Sequence, residues 1–161
     1  MTTLHVSFAG RYGGTTGAPY VEGRLLFPSS NTTVDISFLV DTGADRTVIM
    51  PVDMIRTGLD PAKFTDQADV GGVGGPARMF QEVAAVIFAE PTVAVYVYVL
   101  KVLVAPFSPE YLQLPSLLGR DIIDRWRMIC DKTRGELSFE IVTADMTVPI
   151  PAPPAARAAG P

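Results

Sequence analysis

One aspartate in this chain stands where its carboxylate could be held rigidly and used for proton transfer. Residues 39–45 read Leu-Val-Asp-Thr-Gly-Ala-Asp, so Asp41 directly follows an apolar run. A strand ending at Val40 would deliver this carboxylate from a packed scaffold, and Gly43 permits a tight turn after it. The same residue types are also common at ordinary junctions between a strand and a turn. The motif alone therefore leaves a catalytic and a purely structural interpretation open.

Two glycine-containing segments follow this motif farther along the chain. Residues 70–75 read Val-Gly-Gly-Val-Gly-Gly, which is typical of a mobile hairpin tip whose backbone amides can approach a ligand closely. Residues 117–121 read Leu-Leu-Gly-Arg-Asp, an apolar strand that leads through Gly119 into a predicted helix. Taken singly, the first could be a flexible loop and the second a plain joint between a strand and a helix.

Strands must position these motifs, because most apolar runs in the chain are short and bounded by turn residues. The β-branched and aromatic runs predict a strand pair flanking residues 71–75, and further strands at 4–8, 20–27, 33–40, 83–88, 92–104 and 136–142. The pattern predicts an all-β fold, for which a barrel is the natural architecture.

Helix signals are few. Residues 51–57 predict one or two helical turns ended by Gly58. Residues 121–127 carry apolar side chains, Trp126 among them, at spacings that fit one buried helical face. Trp126 is expected to lie in the core.

Composition and charge narrow the classes of function. The 161 residues suit one domain, 48% of them are hydrophobic, and the net charge of −4 includes no basic run that would bind nucleic acid. The apolar run at 93–100 ends at Lys101, far short of the roughly 20 residues that span a bilayer. The lone cysteine and a start without a signal-peptide pattern predict a reducing, cytoplasmic setting. We therefore expect neither a nucleic-acid partner nor a membrane span.

Several further features favour plain structural interpretations. Asp121 and Asp124 are expected on the solvated surface of the second helix, and with Asp131 they match no compact metal-binding loop. Cys130 is expected to be a small buried side chain. The Pro/Ala-rich sequence over 149–161 predicts a disordered or extended tail, which leaves residues 1–148 as the domain. No metal or cofactor is predicted.

The three motifs, in this order, resemble the retropepsin family of single-domain aspartic proteases, and the resemblance covers roughly residues 20–142. It implies a closed barrel of the acid-protease type, with a flap hairpin around residues 70–75 and one short C-terminal helix. Such proteases need two catalytic aspartates, and no second Asp-Thr-Gly or Asp-Ser-Gly occurs in the chain. The resemblance therefore implies a homodimer in which each subunit contributes Asp41.

Matching the motifs position by position gives individual residues expected roles. Asp41 corresponds to the catalytic aspartate, and Thr42 to the residue whose hydroxyl locks the two active-site loops together across the dimer axis. Gly43 corresponds to a residue whose backbone contacts substrate. Asp45 and Arg120 correspond to an ion pair beneath the active site that stabilises the dimer.

The resemblance also implies a set of substrate-binding residues. Val73 corresponds to the flap-tip residue whose amide holds a water against the substrate carbonyls, and Val48 and Leu117 correspond to walls of the substrate pocket. Arg46 stands where retroviral enzymes commonly have a second acidic residue, so the neighbouring subsite is expected to gain positive charge and to prefer acidic or polar side chains. The full expected set is Ala44, Arg46, Val48, Gly72, Val73, Gly74 and Leu117.

The activity implied by the resemblance is that of an aspartic endopeptidase, which hydrolyses peptide bonds with a water activated by two Asp41 carboxylates. Ala44 stands where pepsin-like enzymes often carry a hydroxyl that stabilises the ionised pair, so we expect activity at mildly acidic to near-neutral pH. Two alternatives stay open on sequence alone. One is a non-catalytic dimerisation module that binds a peptide or protein, and the other is a monomer that pairs with a different retropepsin-like chain.

Overall fold

Strands dominate the computed structural model, which describes residues 7–72 and 75–151. They are β1 (Ser7–Ala9), β2 (Arg11–Gly13), β3 (Ala18–Phe27), β4 (Thr32–Val40), β5 (Val48–Ile49), β6 (Gln67–Val70), β7 (Ala77–Glu90), β8 (Ala94–Val104), β9 (Leu117–Leu118), β10 (Trp126–Asp131), β11 (Glu136–Ile141) and β12 (Met146–Pro149). Helical segments are α1 (Pro51–Thr57), α2 (Arg120–Ile123) and a 3-10 turn at Pro61–Lys63. The expectation of an all-β fold is confirmed.

The strands of the described residues pair into two sheets. The smaller sheet has the order β1-β11-β10 and is antiparallel throughout. The larger sheet follows the path β12-β8-β5-β9-β4-β3-β7-β6, with β2 paired to β3. Because β7 also pairs with β8, the strands β8, β5, β9, β4, β3 and β7 form a continuous ring. Parallel pairing of β4 with β9 places the ends of these two strands side by side.

Alternating burial along the β7–β8 hairpin fills the inside of this ring. Ala84, Val86 and Phe88 of β7 are buried, whereas the residues between them are only partly covered. On β8, Tyr96 and Tyr98 are buried in the same alternating way. Successive side chains of a strand point to opposite faces, so the period-two pattern of the sequence turns one face of the hairpin toward the core.

An aromatic cluster packs the smaller sheet against the ring. Trp126 of β10 lies 4.8 Å from Phe88 and 5.1 Å from Phe8 of β1, measured between ring centroids. Phe139 of β11 lies 5.2 Å from Trp126. The indole N–H of Trp126 donates to the Tyr98 hydroxyl at 2.7 Å, which satisfies its one polar atom in a buried setting. The expectation that Trp126 lies in the core is confirmed.

Of the two predicted helices, the first is the longer in the structure. Pro51 begins α1, and Gly58 ends it in the left-handed conformation at φ 71°. The second prediction, 121–127, is wrong beyond Ile123, because the chain turns there and Trp126 begins β10. The apolar spacing fits a short helix followed by a strand as well as it fits one helix, and pairing of β10 with β11 decides between them.

The expectation of a buried cysteine is wrong. Cys130 is exposed because it lies on β10, an edge strand of the smaller sheet. Its sulfur lies 3.0 Å from the hydroxyl of Tyr12, and that contact raises the pKa of Tyr12 to about 12. None of the helices in the described stretches is long and apolar enough to cross a membrane.

A final strand stands where the sequence predicts the start of a tail. Pro149 ends β12 opposite Ala94 of β8, and the N–H of Ile150 donates to the Val93 carbonyl at 2.9 Å. A proline is tolerated at such a strand end because it removes only one ladder donor. This strand takes in the first residue of the predicted tail. The boundary at 149 stays a prediction, because residues 152–161 lie outside the described part of the chain.

Candidate active site

Asp41 lies directly after β4, where the backbone is fixed by β9. The Asp41 N–H donates to the Leu118 carbonyl at 3.0 Å, and the Leu39 N–H donates to the Ser116 carbonyl at 2.9 Å. These bonds belong to the parallel pairing of the two strands. The strand thus delivers Asp41 from a packed scaffold, as its sequence context predicts.

The turn after β4 orients the Asp41 carboxylate. Its Oδ1 accepts the N–H of Gly43 at 2.9 Å, and its carbonyl accepts the N–H of Ala44 at 3.2 Å. An aspartate that binds the backbone two residues ahead forms an Asx turn, which explains the preference for this residue type here. Asp41 is half-buried, while Thr42 and Gly43 are exposed. The turn therefore holds one carboxylate oxygen and presents the group at an open surface.

The Leu-Leu-Gly-Arg-Asp segment packs directly against this turn. The Arg120 N–H donates to the Ala44 carbonyl at 2.8 Å, and the Asp121 N–H donates to the Asp45 carbonyl at 3.2 Å. A Cβ atom on Gly119 would lie 2.3 Å from the carbonyl carbon of Arg46, so only glycine fits there. The fold thus brings together two motifs that the sequence places far apart.

Asp45 and Arg120 form an ion pair at this junction, through Oδ1 and Nη2. The hydrogen bond that Arg120 donates to Asp45 raises the pKa of the Arg120 guanidinium. The two side chains are 79% and 49% exposed, so the pair adds little to the stability of a single chain. The ion pair expected from the sequence is present, and its contribution to a dimer stays a prediction.

A second contact between the same two segments is absent from the sequence predictions. Buried Thr47 donates its N–H to Oδ2 of Asp121 at 2.8 Å and its hydroxyl to Oδ1 at 2.7 Å. Burial raises the pKa of Asp121, and the two bonds from Thr47 oppose that rise. The expectation of a solvated Asp121 is wrong, because the first turn of α2 packs onto this threonine. The sequence does contain a signal for this contact. Thr47 stands beside the apolar residues 48–50, which predicts a buried hydroxyl, and a buried hydroxyl needs a hydrogen-bond partner.

A cavity of about 520 Å³ lies between the Asp41 turn and the β6–β7 hairpin. Val48, Met79 and Leu103 on its wall belong to a small buried apolar cluster apart from the main core. A concave, partly apolar site with a few polar groups is the usual form of a ligand pocket. Its lining consists of Asp41, Gly43, Ala44, Asp45, Arg46, Val48, Asp69, Val70, Gly71, Gly72, Met79, Leu103 and Leu117.

The cavity contains every predicted substrate-binding residue that the structure describes, namely Ala44, Arg46, Val48, Gly72 and Leu117. Val73 and Gly74, predicted for the flap tip, lie outside the described residues. Thr42 and Arg120 lie beside the cavity without lining it. Met79 and Leu103 line it although the sequence predictions did not include them, because their approach depends on how β7 and β8 fold over β5.

The rest of the described structure offers no second cluster of the motif residues. Within residues 7–72 and 75–151, no group of three or more histidine, cysteine, aspartate or glutamate side chains is arranged to hold a metal ion. A second hollow of about 600 Å³ lies on the outer face of the larger sheet, between Arg24 and Val95, and holds none of the motif residues. The chemistry-bearing residues thus converge on the cavity beside Asp41.

Comparison with known proteins gives one family match and similar folds. The family model described as retroviral aspartyl protease matches residues 16–130. No curated protein matches the chain. A retropepsin-like aspartic protease from Rickettsia conorii has a similar structure, with 18% identity and a TM-score of 0.59 over 90% of this chain and 94% of that one. The EIAV protease complexed with the inhibitor HBY-793 is 20% identical, with a TM-score of 0.44 over 70% of this chain and 90% of that one.

The family match covers most of the site. Its span, 16–130, includes the Asp41 turn, the β6–β7 hairpin and Gly119, and it takes in well over half of the chain. The Rickettsia conorii structure, at its low identity, supports the fold. The chain therefore belongs to the retroviral aspartyl protease family.

Proposed function

We propose that this chain is an aspartic endopeptidase that works as a homodimer, with Asp41 of each subunit forming the catalytic pair. The observation that carries the proposal is the Asp41 carboxylate, which is oriented by its own turn on the wall of a cavity. The opposite wall is the β6–β7 hairpin, so an extended peptide could lie between the hairpin and Asp41. The family of the chain supports this reaction class.

The chemistry requires two carboxylates that differ in protonation. Two aspartates held roughly 3 Å apart cannot both ionise, so they share one proton and titrate as a coupled pair, a behaviour for which aspartic proteases are the standard illustration. The ionised member takes a proton from a bound water, which attacks the peptide carbonyl carbon. The protonated member donates a hydrogen bond to the carbonyl oxygen and stabilises the charge that develops there.

Two features of the single chain support the need for a second copy: the single Asp-Thr-Gly motif and the Thr42 hydroxyl. Only one Asp-Thr-Gly occurs in the sequence, so one chain supplies half of the pair. Thr42, next to Asp41, is exposed, and its hydroxyl makes no hydrogen bond within the described residues. A two-fold axis beside Thr42 would give that hydroxyl a partner in the second copy and bring the two Asp41 carboxylates together. The proposed setting is the cytoplasm, in keeping with the single free cysteine.

The test compares wild type with Asp41→Asn on a peptide library, at several pH values, with cleavage read by mass spectrometry. We expect cleavage by wild type at mildly acidic to near-neutral pH and none by Asp41→Asn. The matched control is Asp124→Asn, an exposed carboxylate that does not line the cavity, and it should cleave normally. Light scattering on the same samples should give the mass of a dimer. A stable dimer that binds peptides without cleaving them would instead support a binding module.

Mixing the two proteins tests whether one site uses two chains. If Asp41 comes from each subunit, dimers of one wild-type and one Asp41→Asn chain are inactive. A threefold excess of the mutant, after subunit exchange, should then lower the activity per wild-type chain to about one quarter. Unchanged activity at full exchange would show that one chain carries a complete site.

A further inference from the structure

Arg46 differs from the other arginines in the part of the chain that the structure describes. Each of the others lies in an ion pair with an aspartate or glutamate. Arg46 has no such partner, although it is only half-buried and lies on the wall of the cavity beside Asp41. One guanidinium in the candidate site thus keeps its charge without a carboxylate at contact distance.

The contacts of Arg46 hold the side chain in place and leave part of it available. Its Nη2 donates to the Lys101 carbonyl at 2.8 Å and to Oε1 of Gln81 at 3.2 Å, both of which are neutral acceptors. Its Nε and Nη1 donate to no acceptor among residues 7–72 and 75–151. The group is therefore anchored at one nitrogen, while donors on the other two remain free for a ligand.

Two carboxylates beside Arg46 are bound by other residues. Asp45, its neighbour in the chain, binds Arg120. Both oxygens of Asp121 accept hydrogen bonds from Thr47, although the charge of Arg46 lowers the pKa of Asp121. Neither aspartate is positioned to neutralise Arg46. A carboxylate brought into the cavity by a ligand would find a charged planar donor group already positioned.

We propose that Arg46 selects peptide substrates with a glutamate or aspartate side chain next to the scissile bond. This inference rests on the proposed peptidase function and names the substrate class of that site. Val48, Met79 and Leu103 supply apolar lining of this cavity, and Asp41, Asp45 and Asp69 supply carboxylates. Arg46 is the one cation among the described residues that line it. Arg46 acts by binding substrate, and the reacting atoms remain those of Asp41.

The experiment measures kcat/KM for peptide pairs that differ only by glutamate or glutamine at the positions flanking the cleaved bond. Wild type should prefer the glutamate peptide by about tenfold, and the preference should shrink in about 0.5 M salt. Arg46→Gln should bring the ratio close to one, and Arg46→Glu should favour a lysine peptide. The matched control is Arg24→Gln, which loses an ion pair with Asp35 on the outer face and should keep the wild-type ratio.

The ratio separates recognition from a purely structural role. If Arg46 only supports the backbone at Lys101, its replacement lowers kcat/KM for both peptides equally and leaves the ratio unchanged, which overturns the proposal. A wild-type ratio near one also overturns it. If wild type cleaves no peptide, the proposed peptidase function fails, and binding of the same peptides, measured by fluorescence anisotropy, still decides the role of Arg46. Preferential binding of the glutamate peptide that Arg46→Gln abolishes supports it, and equal binding overturns it.

Discussion

Thr47 shows how a single buried hydroxyl can support a site whose cavity it does not line. Its hydroxyl and N–H both donate to Asp121, and its oxygen accepts the N–H of Gly119 at 3.2 Å. These contacts join the segment after Asp41 to the start of α2. Partial burial raises the pKa of Asp121, and these donors oppose that rise by stabilising the ionised carboxylate.

We expect Thr47→Val to lower the free energy of unfolding at pH 7 by about 1–3 kcal/mol, because the partly buried Asp121 carboxylate loses the hydroxyl donor of Thr47. Urea denaturation measures the change. The matched control is Thr33→Val on the exposed side of β4, which should change the free energy of unfolding by less than about 0.5 kcal/mol. Equal losses in both variants would mean that the Asp121 contact is not responsible.

Sequence reasoning at the level of residues succeeds where the signal is local. The Asp41 turn follows from an apolar run, an aspartate and a glycine within a few positions, and the structure shows that turn. The contact between Thr47 and Asp121 joins residues 74 positions apart, and nothing in the local pattern of either residue specifies the other. The sequence does not predict that Arg46 lacks an ion-pair partner among the described residues, because this depends on the positions of all neighbouring carboxylates.

Among the structural elements, the short strand β5 and the segment around Gly119 connect the two halves of the site. β5 pairs in parallel with β8 and antiparallel with β9, so it lies between the wall of the cavity and the segment that leads into α2. Two residues are too few to give a strand pattern, which is why the sequence did not predict β5. The pairing partners on both sides define this strand.

Gly119→Ala should disrupt this connection. The added methyl group would lie 2.3 Å from the carbonyl carbon of Arg46, and backbone atoms cannot move aside as a flexible side chain can. We expect a loss of about 3 kcal/mol or more in the free energy of unfolding, measured by thermal and urea denaturation. Gly71→Ala, where a Cβ atom meets nothing within 4 Å, is the control for stability and should leave the midpoint unchanged. A stable Gly119→Ala protein would show that the two segments can separate.

The attachment of β12 provides a prediction about pH. Asp145, just before β12, accepts the N–H of Val99 at 2.7 Å and binds Arg125 at 2.8 Å, and these contacts, that with Arg125 foremost, lower the pKa of Asp145. A lowered pKa in the folded state stabilises the protein above the ordinary pKa of 3.8, and the stabilisation is lost as pH falls through the folded value.

Wild type should therefore be more stable than Asp145→Asn near pH 7, and the difference should shrink as the pH falls below about 4. Protonated aspartate and asparagine are alike in charge, so the two curves should approach each other at low pH. Urea denaturation at a series of pH values measures both proteins. A difference that stays constant over the whole range would rule out the charge of Asp145 as its cause.

Element prediction from the sequence was sound for long alternating strands and poor for short ones. The pattern predicted strands at 20–27 and 33–40, and both occur with small changes at their ends, as β3 and β4. β10 and β12 were missed because their partners in the sheet decide their conformation. Trp126 fits a helical face and a strand equally well, and its packing among Phe8, Phe88 and Phe139 favours the strand.

For the molecule as a whole, the proposed dimer brings the two Asp41 turns together at its two-fold axis. Thr42→Val should weaken the dimer by about tenfold or more, because a two-fold axis would duplicate each lost hydrogen bond. Sedimentation equilibrium measures the dissociation constant. The fold of the single chain should stay intact, since the Thr42 hydroxyl makes no contact within the described residues. Thr33→Val should dimerise as wild type does, and a Thr42→Val protein with wild-type affinity would exclude this residue from the interface.

The packed molecule is larger than the segment that the family model matches. Residues 16–130 lack β1, β2, β11 and β12, and with them Phe8 and Phe139 of the aromatic cluster. We expect a shortened chain of 16–130 to lack cooperative unfolding and a near-ultraviolet dichroism signal. Phe139→Ala in the full chain removes one ring of the aromatic cluster and leaves every strand present. It should lower the free energy of unfolding by about 3–5 kcal/mol. A cooperatively folding 16–130 chain would show that the smaller sheet is dispensable.

The pairing of β1 with β11 also sets the order of events while the chain is being made. Residues 7–9 pair with residues 138–140, so β1 has to wait for its strand partner until residue 140 has been translated. Pairing over so many residues is slow, because the ends of a long loop must meet first. If the peptidase function holds, a growing polypeptide cannot digest its surroundings before β11 has been translated, since the packed form that supports Asp41 is not complete until then.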